Sequence, residues 1–241
     1  MDLVSPPAAG RTFRTSRRIR LADRAADGRL RLDAVARYLQ DLASDDVDET
    51  GWGAPDHLWV LRHLHVEVVV PPFDDDRVEL VTWSSGRAAL AAARRMSLVG
   101  DRGGRVELDS VWVHLGADAR PARIEGFGPY AQSAGDRVAS TRLDLPEPPP
   151  EARRAPWPLR VTDVDVLGHV NNAAYWHAVE QCLASTPLDA RRPHRARLDH
   201  RHPIDLDDDV ELAAVVEDGR LGVAFVVDGS ARAVAVVEGS A

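Results

Sequence analysis

The chain contains no lysine. All 30 of its basic residues are arginine, which removes Schiff-base chemistry and the phosphate-gripping lysine of Walker-type loops. A single cysteine, Cys182, excludes an internal disulfide and a cysteine-rich zinc site. Positive charge is in deficit, with 38 acidic against 30 basic residues and a net charge of −8, which argues against general binding to nucleic acid or to anionic membranes. No stretch approaches the roughly 20 apolar residues of a membrane span. The opening MDLVSPPAAGRTFR has no apolar core of a secretory signal. These absences predict a soluble, cytoplasmic protein. What is present, 241 residues of which 44% are hydrophobic, suffices for a large core without covalent staples.

The chain repeats itself. Arg20-Leu-Ala-Asp23 aligns with Arg160-Val-Thr-Asp163 at an offset of 140, and without a gap Gly28 then falls on Gly168, Leu30 on Val170, Leu39 on Val179 and Gln40 on Glu180. A second match follows at an offset of 132: Pro71 on Pro203, Asp76 on Asp208, and Val78-Glu-Leu80 on Val210-Glu-Leu212. Two matches in the same order point to a duplication.

Local patterns agree. In the first copy, 14–21 reads as a strand and 30–43 as a helix with an apolar stripe at 30, 34, 35, 38, 39 and 42. Strands follow at 60–70, 78–83, 88–98 and 106–115. In the second copy, 159–163 reads as a strand and 170–183 as a helix, followed by strands near 195–201, 209–217, 220–228 and 231–238. Asp218-Gly219 marks a tight hairpin. Each copy is therefore β-α-β-β-β-β, an α+β arrangement in which one helix covers one face of an antiparallel sheet. The expected organisation is an N-terminal unit over 11–125, a proline-rich linker over 126–156 and a C-terminal unit over 157–241.

The copies differ at the helix entry. Around Gly168 the second copy gathers Asp163, Asp165, His169, Asn171, Asn172 and Tyr175, whereas the first has Ala25, Arg29, Arg31 and Leu32 opposite Asp165, His169, Asn171 and Asn172. Residues common to both copies serve the fold; residues present in one are candidates for function. Attack on a carbonyl carbon needs an activated nucleophile and a site for the developing oxyanion. A glycine turn into a helix offers amides near Val170 and Asn171 for the oxyanion, Asp165 as nucleophile or base, and His169 to handle protons. Asn172, Trp176 and Glu180 lie on one helix line, which makes Glu180 a possible second carboxylate.

The motif D-x-D-x-x-G-H-V-N-N-x-x-Y resembles that of hot-dog-fold thioesterases, and the tandem arrangement is similar to that of the acyl-ACP thioesterases. Val81-Thr-Trp-Ser-Ser-Gly86, Ser110-Val-Trp-Val and Arg120-Pro121 extend the likeness to the first copy. The resemblance implies a double hot-dog: two long helices wrapped by curved antiparallel sheet, a pseudo-dimer within one chain that leaves room for a further homodimer. It implies hydrolysis of a fatty acyl thioester of acyl carrier protein or CoA, with no metal or organic cofactor. By position it assigns catalytic roles to Asp165 and His169; together with the residues read at the helix entry and along the helix, the expected catalytic set is Asp165, His169, Asn171 and Glu180, and the expected substrate-binding set is Gly168, Val170, Asn172, Tyr175 and Trp176. The acyl chain is expected in an apolar slot between the two helices. The chain departs from the plant enzymes' D-x-N-x-H motif at Leu167, and the glutamate of their next strand has no clear equivalent because His200-Arg-His-Pro203 occupies the region. An enoyl-thioester hydratase or dehydratase and a non-catalytic thioester-binding module are the alternatives.

Two further patterns are weighed. His63/His65 and His200/His202 lie at i, i+2, but no carboxylate accompanies them in sequence, so no metal site is expected. Arginines cluster at 11, 14, 17, 18 and 20 and again at 191, 192, 195, 197 and 201. They suit either a phosphate-bearing or acidic carrier or a solvated strand edge.

Overall fold

The computed structural model describes residues 5–52, 58–73, 75–143 and 145–239. The apolar stripes predicted from the sequence become the inner faces of two helices. In α1 (Leu32–Thr50), Ala34, Val35, Tyr38, Leu39 and Leu42 are all buried; in α3 (Asn172–Leu183), so are Ala173, Ala174, Ala178, Val179 and Leu183. Both helices lie in one continuous core with inward residues of the sheet, such as Leu64, Val66, Leu108, Leu198 and Phe225.

Ten antiparallel strands form one sheet: β1 (Phe13–Arg18), β2 (Leu58–Val70), β3 (Arg77–Arg87), β4 (Ala91–Gly100), β5 (Arg105–Leu115), β6 (Arg153–Pro156), β7 (His194–His200), β8 (Glu211–Glu217), β9 (Arg220–Val227) and β10 (Ser230–Gly239). Their order, β1-β3-β4-β5-β2-β7-β10-β9-β8-β6, reads the same from either end once the copies are exchanged. The two units join where β2 pairs with β7. His63 faces Asp199, and a shift of 132 turns that pair into Glu67 facing Arg195, which also exists. The duplication is therefore an approximate two-fold axis through the middle of the sheet.

Three expectations change. Residues 159–163 are not a strand; Val161–Asp163 is a single 3₁₀ turn, and the first strand of the second unit is β6, inside the stretch expected to be linker. That stretch is also not simply extended. It carries a short helix, α2 (Ala131–Ala134), and then crosses the outer face of the sheet. Val138 bridges to Arg87 of β3, Ala139 packs on Ala91, Ala93 and Val111, and Leu145 and Ala152 pack beside Val234 and Val236 of β10. Its apolar residues cover a sheet face that local periodicity leaves unassigned. In β2, strict alternation would put Val60 on the face of Leu64, Val66 and Val68, but a bulge between Leu61 and His63 shifts it, so Leu61 is buried instead.

The N-terminal unit is tied to α1 by charge. Asp33, at the start of α1, is fully buried. Burial alone would raise its pKa, but hydrogen bonds from His177, Arg31 and Arg37 outweigh that and hold the carboxyl well below the usual range. Arg11 pairs with Asp46 and Glu49, and Arg17 pairs with Asp41 while lying 4.0 Å over the Tyr38 ring. Two members of the first arginine cluster, Arg17 of β1 and Arg11 just ahead of it, therefore fasten this stretch to α1.

Buried His200 stacks edge-on against Tyr175 at 4.7 Å, and burial pushes its pKa down to about 4. Unfolded, the ring protonates below about 6.5. Between these values the unfolded chain binds more protons, so stability is complete above about pH 6.5 and is lost as pH falls toward 4. The urea midpoint should fall between about pH 7.5 and 4.5, and His200→Phe should shrink that fall.

Candidate active site

The polar residues peculiar to the second copy meet in one loop. Gly168, at φ +81°, allows the turn from Asp165 into α3. The loop is closed by the Asp165 N–H on the His169 carbonyl and the Gly168 N–H on the Asp165 carbonyl, each at 3.0 Å. Asp163 serves the fold, as its twin does: its carboxylate accepts the Arg160 N–H at 2.9 Å, and Asp23 accepts the Arg20 N–H at 2.8 Å. The Asp165 carboxylate accepts the Leu167 N–H at 2.9 Å and the Asn171 side-chain amide at 3.3 Å. Asn171 caps α3 by accepting the Ala173 N–H at 2.9 Å, so one residue fixes both the helix start and the carboxylate.

His169 brings in a residue that sequence reasoning missed. Its Nδ1 lies 2.6 Å from the Asp205 carboxylate, and its ring is half-exposed. A carboxylate does reach the site from the segment after β7, two positions beyond Pro203. The repeat carries the signal: the Val170 N–H bonds the carbonyl of Ile204 as the Leu30 N–H bonds that of Pro72, so Asp205 follows the residue docked at the helix entry.

Backbone amides at the entry are more restricted than expected. The Val170 N–H is taken by Ile204 and the Asn171 N–H by the Asp163 carbonyl at 2.8 Å, so neither is open to an oxyanion. The Asn172 N–H, at the first position of α3, has no acceptor among the described residues. Its twin shows what this position attracts: the Leu32 N–H donates to the Glu180 carboxylate at 2.8 Å. Glu180 also receives both terminal nitrogens of Arg29. It is thus the anchor of the other helix's N-terminus rather than a second catalytic carboxylate. Opposite Asn172, the two-fold relation puts neutral Gln40.

Tyr175 and Trp176 belong to the core. Trp176 is fully buried, and Tyr175 packs against Trp157, His200 and Phe225, where burial raises its phenol pKa. No slot separates the helices, which pack on each other. The cavity that Gln40 lines instead lies between α1 and the sheet of the N-terminal unit. It has a volume of about 320 Å³ and is walled by Trp52, Trp112, Phe127 and Tyr130, with Arg94 held at its edge by Asp46 at 2.6 Å. His63 hydrogen-bonds Asp199, and among the described residues no group of three or more His, Cys, Asp or Glu is placed to hold a metal ion. In the second arginine cluster, Arg195 pairs with Glu67 and Arg192 with Asp189, while Arg191 lies over Phe73.

Residues 10–125 match the family model for the acyl-ACP thioesterase N-terminal domain, and 147–233 match that for its C-terminal domain. The chain belongs to the acyl-ACP thioesterase family. It is therefore a thioester hydrolase acting on fatty acyl thioesters. An uncharacterised protein of Mycobacterium tuberculosis is 27% identical over 98% of this chain and 96% of its own length. The chloroplastic oleoyl-acyl carrier protein thioesterase 2 of Arabidopsis thaliana is 24% identical over 77% of this chain and 58% of its own. Among solved structures, the 12:0-ACP thioesterase of Umbellularia californica superposes with a TM-score of 0.79 at 22% identity, covering 94% of this chain and 96% of that one. A putative oleoyl thioesterase of Lactobacillus plantarum gives 0.79 at 18%, covering 97% and 96%. The shared architecture is the tandem hot-dog fold. No helix among the described residues is long and apolar enough to cross a membrane.

If Asp205 orients His169, Asp205→Asn should lower kcat by roughly tenfold to a hundredfold with little change in KM, and His169→Ala should cost at least as much. Thiol release under saturating substrate measures both.

Proposed function

We propose that this thioesterase acts on acyl-ACP, that the acyl chain occupies the cavity beside Gln40, and that the loop from Asp165 to Asn171 carries the chemistry. The observation that supports this reading most is the occupied twin. A carboxylate oxygen rests on the Leu32 amide in one copy, and the matching Asn172 amide is open in the other. An amide at a helix start that binds a fixed anion is equally suited to the negative charge that grows on a thioester oxygen. Gln40 in place of a glutamate leaves that amide free for substrate.

In this reading, water attacks the thioester carbon while the Asn172 N–H holds the carbonyl oxygen. With Nδ1 donating to Asp205, neutral His169 presents Nε2 as an acceptor and takes the water proton. Asp165, fixed by Asn171 and the Leu167 amide, orients the water on the opposite side. The tetrahedral intermediate collapses by breaking the C–S bond, and the thiolate leaves with the proton from His169. The products are a free acid and the carrier thiol. The cavity of about 320 Å³ sits near the lower end of the usual range for small-molecule sites, about 300–1,000 Å³, which favours a short or medium acyl chain.

Thiol release from acyl-ACP and acyl-CoA of graded chain length tests the reading. Asp165→Asn should lower kcat/KM by roughly a hundredfold or more. One turnover in ¹⁸O-water should label only the released acid; label on Asp165 would make this carboxylate the nucleophile. Absence of free thiol would favour hydration of an enoyl thioester instead. Ala43→Phe, which narrows the cavity from α1, should reduce kcat/KM for the longest accepted chain by about tenfold and spare the shortest.

A further inference from the structure

Among the described residues, the cavity beside Gln40 has a larger neighbour in the other unit. A groove of about 770 Å³ lies in the C-terminal unit, between α3 and the outer strands β6, β8 and β9. The duplication shows why it exists. At the matching place in the N-terminal unit, Tyr38 and Leu42 of α1 fill the space, and Phe13 of β1 packs over the core. Their counterparts are Ala178, Cys182 and Arg153, so two large side chains are missing and a third is replaced by a cation at the edge.

The lining is divided by chemistry. Ala174, Ala178, Leu212, Ala214 and Leu221 form an apolar floor with Trp157. Arg153 and Arg160 stand at the rim, and neither has an acidic partner among the described residues. Arg153 and Cys182 line the same groove, and the Arg153 charge opposes the rise in thiol pKa that burial causes. Of the two acids that also line it, Asp163 is already bound to the Arg160 N–H, and Glu151 lies at the open surface. A long apolar floor ending at unpaired guanidinium groups is complementary to a hydrocarbon chain that ends in a carboxylate.

We propose that this groove is a second, non-catalytic site that binds a free fatty acid, with the chain along α3 and the carboxylate at Arg153 and Arg160. The site belongs to the unit that supplies the catalytic loop, whereas the cavity beside Gln40 belongs to the other. It is therefore a place where the free acid can bind without competing for the cavity in which we place the substrate's acyl chain.

Cys182 is the only thiol and lines the floor, so it reports occupancy directly. Laurate below its micellar concentration should slow maleimide alkylation of Cys182 in the full chain, saturably. Arg153→Gln, at an exposed position, should raise the laurate concentration needed by about tenfold, from loss of a charge-assisted hydrogen bond. Ala178→Tyr, which restores the filling residue of the first copy, should abolish laurate-dependent protection while leaving acyl-thioester hydrolysis unchanged. Ala43→Phe, in the other cavity, should leave protection intact. The proposal falls if saturating laurate gives no protection, if dodecanol protects as well as laurate, if Ala43→Phe removes the protection, or if raising the protein concentration alone protects Cys182, since a second copy would then be what covers the groove.

Discussion

The pairing of β2 with β7 sets the geometry on which the rest depends. It makes two sheets into one, and so lays α1 and α3 side by side on the same face with the N-terminus of each against the middle of the other. The Leu32 amide meeting Glu180, and Asp33 meeting His177, are direct consequences. A helix N-terminus carries unpaired N–H groups and partial positive charge, and buried between two units it requires an acceptor. One end receives that acceptor from the protein itself. The other, at Asn172, has no acceptor among the described residues.

The internal symmetry is broken at few positions around the helix starts. Glu180 against Gln40 decides which helix start is filled. Arg29 against His169 decides which entry loop carries an imidazole, since Arg29 is committed to the Glu180 ion pair. Tyr38 against Ala178 decides which unit keeps a solid outer edge and which opens a groove. The duplicated features, by contrast, are mechanical: the 3₁₀ turns closed by Asp23 and Asp163, and the positive-φ glycines Gly28 and Gly168.

Much of the architecture was legible in local pattern. Both helices, eight of the strands and the repeat follow from periodicity, because a buried stripe must recur at the spacing of its element. The strand at 88–98 was legible despite an alanine-rich run, and it is β4. Strand β6 was not, since a short edge strand beginning Arg-Arg and ending in proline carries no alternation. The loop that gathers Asp165, His169 and Asn171 was legible because the second copy has these residues and the first lacks them. Tyr175 and Trp176, expected to bind substrate, are core, because one helix face can be core or cavity depending on what packs there.

The amino-acid sequence alone determined the duplication, the fold class and the loop where the polar residues collect, since all three are properties of spacing along the chain. Tertiary structure decided the partners. Asp205 reaches His169 from 36 positions away, Glu180 is spent on the opposite helix, and the amides of Val170 and Asn171 are consumed by neighbouring carbonyls. These are contacts between segments distant in the chain. Which acceptor a donor meets there is set by how strands and helices stack, and no local pattern encodes it.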